Sequence, residues 1–202
     1  YGTTAYVALY VAQKIAKVDL SGLAACAAPD PGAPACGGGG ACPAGRTCVA
    51  GTCRPVCGTV TGQLDLLAVE GAATPPGLPT PSDVVVAAGR VFVGLSNLAD
   101  DPGDPYPFWV IPSGPGKLAM VDPATDVVTL LPLGPACTKP GPLAVHGATL
   151  WVGCGSLSFP DLAPGVLVPV DLAVSPPVAR AAIPVSPIVP GALAFCGGMG
   201  YV

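Results

Sequence analysis

One pattern recurs without gaps and limits what this 202-residue chain can fold into. Pro81 leads into Val84-Val85-Val86, a turn at Ala88-Gly89, and a return through Arg90-Val91-Phe92-Val93-Gly94. The same frame holds at Pro140, Leu143-Ala144-Val145, Gly147-Ala148 and Thr149-Leu150-Trp151-Val152-Gly153. It holds again at Pro190, Leu193-Ala194-Phe195, Gly197-Gly198 and Met199-Gly200-Tyr201-Val202. Tyr6-Val7-Ala8-Leu9 carries the same aromatic-Val signature near the start. An aromatic residue beside Val, just past a Gly turn, suits a buried strand of a twisted sheet. The frame is therefore a hairpin, with strand A after the Pro and strand B carrying the aromatic.

A second pattern continues each unit. Lys14 to Asp19, Lys117 to Asp122 and Val166 to Asp171 all end in Val-Asp and read as a third strand, C. Val127 to Leu133 and Val178 to Val185 supply an outer strand, D, which in the first unit is placed near Gln63 to Val69. Pro169 lies inside a strand C, where its missing N–H predicts a bulge. The hairpins repeat at shifts of about 59 and about 50 residues, and four strands at a period near ~50 residues mark a propeller blade. The expected fold is all-β: a partial β-propeller of four-stranded antiparallel blades, about three to three and a half of them, with a small disulfide-rich insertion. Residues 1–25 give a partial blade (strands B and C), 26–57 the insertion, and 58–81 the first blade's outer strand and a linker. Residues 82–133 give the second blade, 134–185 the third, and 186–202 the start of a fourth.

Composition fits this reading and removes others. With 51% apolar and 10% charged residues, disorder driven by charge is excluded. The 28 Gly and 27 Pro punctuate short apolar runs, as sandwiches, barrels and propellers require. No long stretch keeps helical apolar spacing without a Pro or Gly. A net charge of −4 leaves no basic patch to displace counterions, so nucleic acid is not an expected partner. No uninterrupted apolar run is long enough to span a bilayer, so no transmembrane segment is expected. The chain opens on Tyr1 and stops inside a repeat unit, so it reads as a piece of a longer protein whose remaining blades are partners. The total blade number stays open.

The pattern Pro-x-x-Val-Val-Val-x-x-Gly-Arg-Val-Phe-Val, followed by Lys117 to Leu133, resembles the repeats of the YVTN-type bacterial β-propellers. NHL and quinoprotein-like propellers are the broader look-alikes. The resemblance covers nearly everything except residues 21–60, with Phe92 and Trp151 at positions where that family carries Tyr. It implies an exported bacterial protein, extracellular, periplasmic or at the cell surface. Its expected role is a non-catalytic scaffold or binding module for a protein or glycan ligand. The alternative is a propeller-fold enzyme (a lactonase, lyase or quinoprotein-like protein) whose site further blades would complete. The enzyme predicts carboxylates or His on inner strands, whereas the scaffold predicts an apolar inner strand such as Val84-Val85-Val86-Ala87-Ala88.

Cysteines carry the second constraint. Cys26, Cys36, Cys42, Cys48, Cys53 and Cys57 fall in a segment with almost no apolar residues to form a core, so covalent ties must order it. Three disulfides at roughly 2–4 kcal/mol each would suffice. Six cysteines allow 15 connectivities, and the spacing chooses none of them. Zinc would require paired thiolates with a second pair or His; the close pairs Cys48/Cys53 and Cys53/Cys57 share a cysteine and no His is near. Disulfides therefore take precedence, and they imply an oxidising compartment. The pattern from Cys42 to Cys53 is similar to small EGF-like or knottin-like modules of secreted proteins. Cys137 and Cys154 fall at the two ends of one A/B hairpin and are expected to bridge. Cys196 aligns with His146 in the repeat, and any partner is expected beyond Val202.

Candidate chemistry is sparse. The longest B–C loop holds Asp100, Asp101, Asp104, Tyr106, Phe108 and Trp109, a possible protein or glycan contact. Its acids lack the alternation and terminal Glu of a calcium loop, so no metal site is expected there. His146, the single histidine, precedes a turn and has no nucleophile or orienting acid in its pattern, so it reads as structural or exposed. Asp19, Asp122 and Asp171 recur at strand ends, which favours turn-closing hydrogen bonds over catalysis. No cofactor motif is present.

Overall fold

In a computed structural model the chain is described over residues 2–23, 32–49, 51–70, 78–100, 110–112, 114–155, 165–185, 192–196 and 199–201. It divides into two compact units, residues 1–7 with 16–63 and residues 8–15 with 64–202. The fold is all-β, built from antiparallel sheets. Among the described residues, no helix is long and apolar enough to cross a membrane.

Strands β1 (Thr4–Leu9) and β2 (Lys14–Asp19) open the chain. The first unit then carries a 3-10 turn at Gly38–Gly40 and the hairpin β3 (Arg46–Val49) and β4 (Thr52–Pro55). Strand β5 (Thr59–Asp65) completes sheet I, ordered β1-β2-β5. This outer strand sits earlier than the Gln63–Val69 placement, because Leu66–Glu70 instead forms a short helix, α1. Leu, Ala and Glu favour helix over strand here. The Asp65 carboxylate also accepts a hydrogen bond from the Leu67 N–H (2.9 Å), satisfying one of the first-turn donors.

The second unit contains two larger sheets. Sheet II is a meander of β6 (Pro81–Ala87), β7 (Arg90–Leu95), β10 (Lys117–Val121) and β11 (Val128–Pro132). Between β7 and β10, a small hairpin pairs β8 (Leu98–Asp100) with β9 (Val110–Pro112). Sheet III joins β12 (Pro140–His146), β13 (Thr149–Cys154) and β14 (Val166–Asp171) to a divided outer strand, β15 (Val178–Ala179) and β16 (Ile183–Pro184). A final hairpin pairs β17 (Ala194–Cys196) with β18 (Met199–Tyr201).

The repeat seen in sequence is a repeat of register. Val85 pairs with Phe92, Ala144 with Trp151 and Ala194 with Tyr201. The same irregularity falls between Pro81 and Val84 and between Pro140 and Leu143. Thr80 and Lys139, each just before its Pro, both take positive φ (45° and 51°). The two-residue turns differ in a way their residues explain. Ala88 and Gly89 both have positive φ, the type I′ arrangement, whereas in the next hairpin only Gly147 does, the type II′ arrangement.

Pro169 keeps β14 in unbroken register with β13, so the expected bulge is not on that side. Its effect falls on the outer strand, which splits into β15 and β16. Arg180 N still donates to the Pro169 carbonyl (2.8 Å), but Pro169 has no N–H to return.

Central strands are buried on both faces, as their unbroken apolar runs require; every residue of β7 from Val91 to Leu95 is buried. Phe92, Leu118 and Met120 of sheet II share one apolar cluster with Leu150, Val152, Val168 and Val170 of sheet III. Polar ties join the same sheets. One Asp83 oxygen accepts from Val84 N and the other from Leu143 N, both at 2.8 Å. Ser82 Oγ donates to the Pro140 carbonyl at 2.5 Å. Gly94 is required where this carbonyl approaches, since a Cβ there would lie 3.2 Å from it and 2.7 Å from Ser82 Oγ.

Candidate binding pocket

The sheet-III strand β12 neighbours both β6 and β17. Alternation along β13 therefore presents Leu150 and Val152 to the cluster shared with sheet II and Trp151 to the opposite face. On that opposite face is a pocket of about 230 Å³, lined by His146, Trp151, Leu167, Leu193, Phe195, Gly200 and Tyr201.

Comparison of equivalent positions explains why space remains there. In sheet II the aromatic of strand B, Phe92, is fully buried and shares its cluster with Leu150, the residue just before Trp151. One repeat further, the position of Leu150 is held by Gly200, and that of Val145, its cross-strand partner, by Phe195. A Val/Leu pair has become Phe/Gly. The Phe195 ring leans over the glycine, as a Cβ on Gly200 would lie 2.9 Å from Phe195 Cε1. The leucine side chain that fills the previous junction is absent, and the pocket stands beside it.

The lining is aromatic and, among the described residues, carries no acid, lysine or arginine. The His146 imidazole stacks on Phe195 with ring centroids 4.8 Å apart and an interplanar angle of 22°. Phe195 also meets Trp151 at 6.0 Å in a tilted arrangement. The Trp151 indole Nε1 is shielded from solvent and has no hydrogen-bond partner among the described residues. A shielded, unpaired N–H costs about 1–3 kcal/mol, so an acceptor that reached it would be favoured. Trp151 is itself half-buried, and Tyr201 is 52% exposed.

The residues singled out from sequence are dispersed. Cys36 bonds to Cys48, Cys42 to Cys53 and Cys137 to Cys154, with S–S distances of 2.08, 2.01 and 2.04 Å. Cys57 is disulfide-bonded as well, and Cys26 lies outside the described residues. Sulfurs of Cys36, Cys42 and Cys53 lie within 4.8 Å of one another, yet each is committed to a disulfide and has no thiolate to offer a metal. Cys48 and Cys53 pair directly across the β3–β4 hairpin, and Cys53, almost fully buried, centres this segment. Cys196 carries a free, exposed thiol on the final hairpin.

Asp100 ends β8, where its backbone pairs with Val110; Asp101, Asp104, Tyr106, Phe108 and Trp109 lie outside the described residues. Asp19, Asp122 and Asp171 each accept a hydrogen bond from the N–H two residues on, from Ser21, Ala124 and Ala173 at 2.8–2.9 Å. The Ser21 N–H, then its hydroxyl, hold the Asp19 carboxyl below the usual carboxylate range. At Asp171 the Arg180 guanidinium hydrogen bond acts first and the Ala173 N–H second, in the same direction. Desolvation alone lowers the Lys139 ammonium. None of these groups lines the pocket.

Sequence reasoning read His146 as structural or exposed and passed over Trp151, Phe195, Gly200 and Tyr201 as a set. Their signal was the Leu150-to-Gly200 departure within an otherwise regular frame. Compared with protein families, curated proteins and solved structures, the chain finds no match.

Proposed function

We propose that this chain is a non-catalytic β-propeller scaffold of the YVTN type, a binding module of an exported bacterial protein. Sheets II and III are read as successive blades and the β17–β18 hairpin as the start of the next. The observation that carries this is the shared register: three hairpins pair the same repeat positions, and two of them share the same irregularity after the Pro. A repeat that packs each aromatic against the following sheet is how radial β-architectures bury their faces. Bonded cysteines in both units support an oxidising compartment. The inner strands are mainly apolar, Val84 to Ala87 in β6 and Leu143 to Val145 in β12; the Asp83 carboxylate on β6 is taken up by the Val84 and Leu143 N–H groups, and His146 stands at the end of β12 stacked on Phe195.

Two measurements test the reading. A crystal structure of the natural protein should show four-stranded sheets radiating about one axis; a two-layer sandwich would overturn the propeller. A thermal-shift screen of glycans and small molecules, followed by product analysis, should find ligands that stabilise without being consumed. Turnover of a lactone or a uronate glycan would replace the scaffold with a propeller-fold enzyme.

A further inference from the structure

We propose that Cys36, Cys42, Cys48 and Cys53 form a two-state centre: two disulfides when oxidised and, when reduced, one zinc-class divalent ion held by four thiolates. The inference goes beyond the binding-module reading and does not rest on it. The four sulfurs share one place. Those of Cys36, Cys42 and Cys53 lie within 4.8 Å of one another, and that of Cys48 is bonded to Cys36. A tetrahedral zinc about 2.3 Å from each sulfur sets the sulfurs about 3.8 Å apart. The bonded pairs have Cα atoms 5.8 and 5.6 Å apart, so rotation about side-chain bonds reaches that separation.

The arms that carry the cysteines are also tied by backbone bonds independent of the disulfides. Cys48 and Cys53 face each other across the β3–β4 hairpin, with the four-residue spacing of a paired zinc ligand. Ala35 bridges to Thr52, Cys36 N donates to the Gly51 carbonyl (3.0 Å) and Cys53 N donates to that of Pro34 (2.9 Å). Gly37 N donates to the Ala41 carbonyl (2.9 Å), closing the turn that brings Cys42 back to Cys36. Cys53 is buried, Cys36 and Cys42 are half-buried and Cys48 is exposed, which gives a small reductant access from one side. Arg46 Nη1, bound to the Cys53 carbonyl at 2.9 Å, sets a cation beside the cluster and favours thiolates over thiols. The reductant is a dithiol. Two dithiols each supply two electrons and two protons, become cyclic disulfides and leave four protein thiols. Binding one divalent ion then releases those four protons.

The test uses the full chain carrying Cys196→Ser, reduced with dithiothreitol, desalted without oxygen and titrated with Co²⁺ at neutral pH. The absorption of a tetrahedral cobalt thiolate should appear, saturate at one equivalent and vanish when Zn²⁺ displaces the cobalt. Peptide mass mapping should show that zinc protects Cys36, Cys42, Cys48 and Cys53 from maleimide and leaves labelling of Cys57 unchanged. Cys42→Ser or Cys48→Ser should weaken zinc by more than the ~100-fold that loss of a supporting group costs, whereas Cys57→Ser should leave the affinity unchanged. Affinity should fall steeply as pH drops, since four thiols must lose protons. Absence of the cobalt thiolate absorption, protection of a different set of cysteines, or equal zinc affinity in the parent and Cys42→Ser proteins overturns the centre. The protection map needs no substitution within the cluster, so it decides even where a serine variant fails to fold. Failure here leaves the scaffold reading standing, because ring architecture and the absence of turnover are measured separately.

Discussion

The Cys137–Cys154 bridge should be the main covalent support of the second unit. It closes a segment of 17 residues and lies within the cluster shared by sheets II and III, with the two cysteines 0% and 1% exposed. Constraining a loop of that size in the unfolded chain is worth about 3 kcal/mol on the chain-entropy estimate. Replacing both residues by Ala also removes two sulfurs packed in the core, roughly 1 kcal/mol each. The double variant should therefore lose about 4–5 kcal/mol, which for a chain of this length lowers Tm by roughly 10–15 °C. Calorimetry in oxidising buffer measures it. The single variants sharpen the reasoning, because either substitution alone breaks the bridge and leaves the other thiol as a small buried hydrophobe. Each single should lie within about 1 kcal/mol of the double. Additive losses, or a double variant melting within about 2 °C of the parent, would refute the account.

Other consequences are smaller and local. Asp83→Asn leaves one carbonyl oxygen to serve two N–H donors and turns an amide N–H toward the other; it should cost about 1–3 kcal/mol in urea unfolding and speed amide exchange at Leu143. Ala88→Asn relieves a left-handed Ala (φ 46°) in an exposed type I′ turn and should raise stability by about 0.5–1 kcal/mol, measured the same way. Asp171 and Asp19 have folded-state pKa values below the ordinary carboxylate value, so their contribution is present above about pH 4 and is lost as pH falls through the lowered values. Asp171→Asn should accordingly lower stability slightly at neutral pH, leave it unchanged at the acid end where the carboxylate is already protonated, and so flatten the acid limb of a stability-versus-pH curve. Maleimide under non-reducing native conditions should label Cys196 and spare Cys137 and Cys154, as peptide mass mapping would show.

Strand order and pairing were legible because side-chain period and turn position determine register. The Pro-to-Gly spacing placed β6, β7, β12 and β13, and the Val-Asp endings placed β10 and β14. The outer strands were less legible. Gln63 to Val69 reads as apolar alternation, but the Asp65 cap and the helix formers after it ended the strand early. Pro169 announced an irregularity without saying which neighbour would absorb it. A proline has lost a donor on one edge only, and the outer strand was the one facing that edge. Disulfide pairing in the β3–β4 segment depends on which cysteines the hairpin places in reach, which spacing alone leaves undetermined.

A repeat architecture separates residues that hold the fold from residues free to do something else. Positions that agree between units, such as Asp19, Asp122 and Asp171, have the same turn-closing task each time. A departure must then be compensated by its neighbours or leave a physical trace. Phe195 leaning over Gly200 compensates in part, which is why the final hairpin still pairs in the common register. The remainder is the aromatic space beside Trp151 and an indole N–H without an acceptor among the described residues. The pocket thus lies beside a departure from the common frame, and Gly200→Leu asks whether it closes when the side chain of the preceding repeat is set back against Phe195.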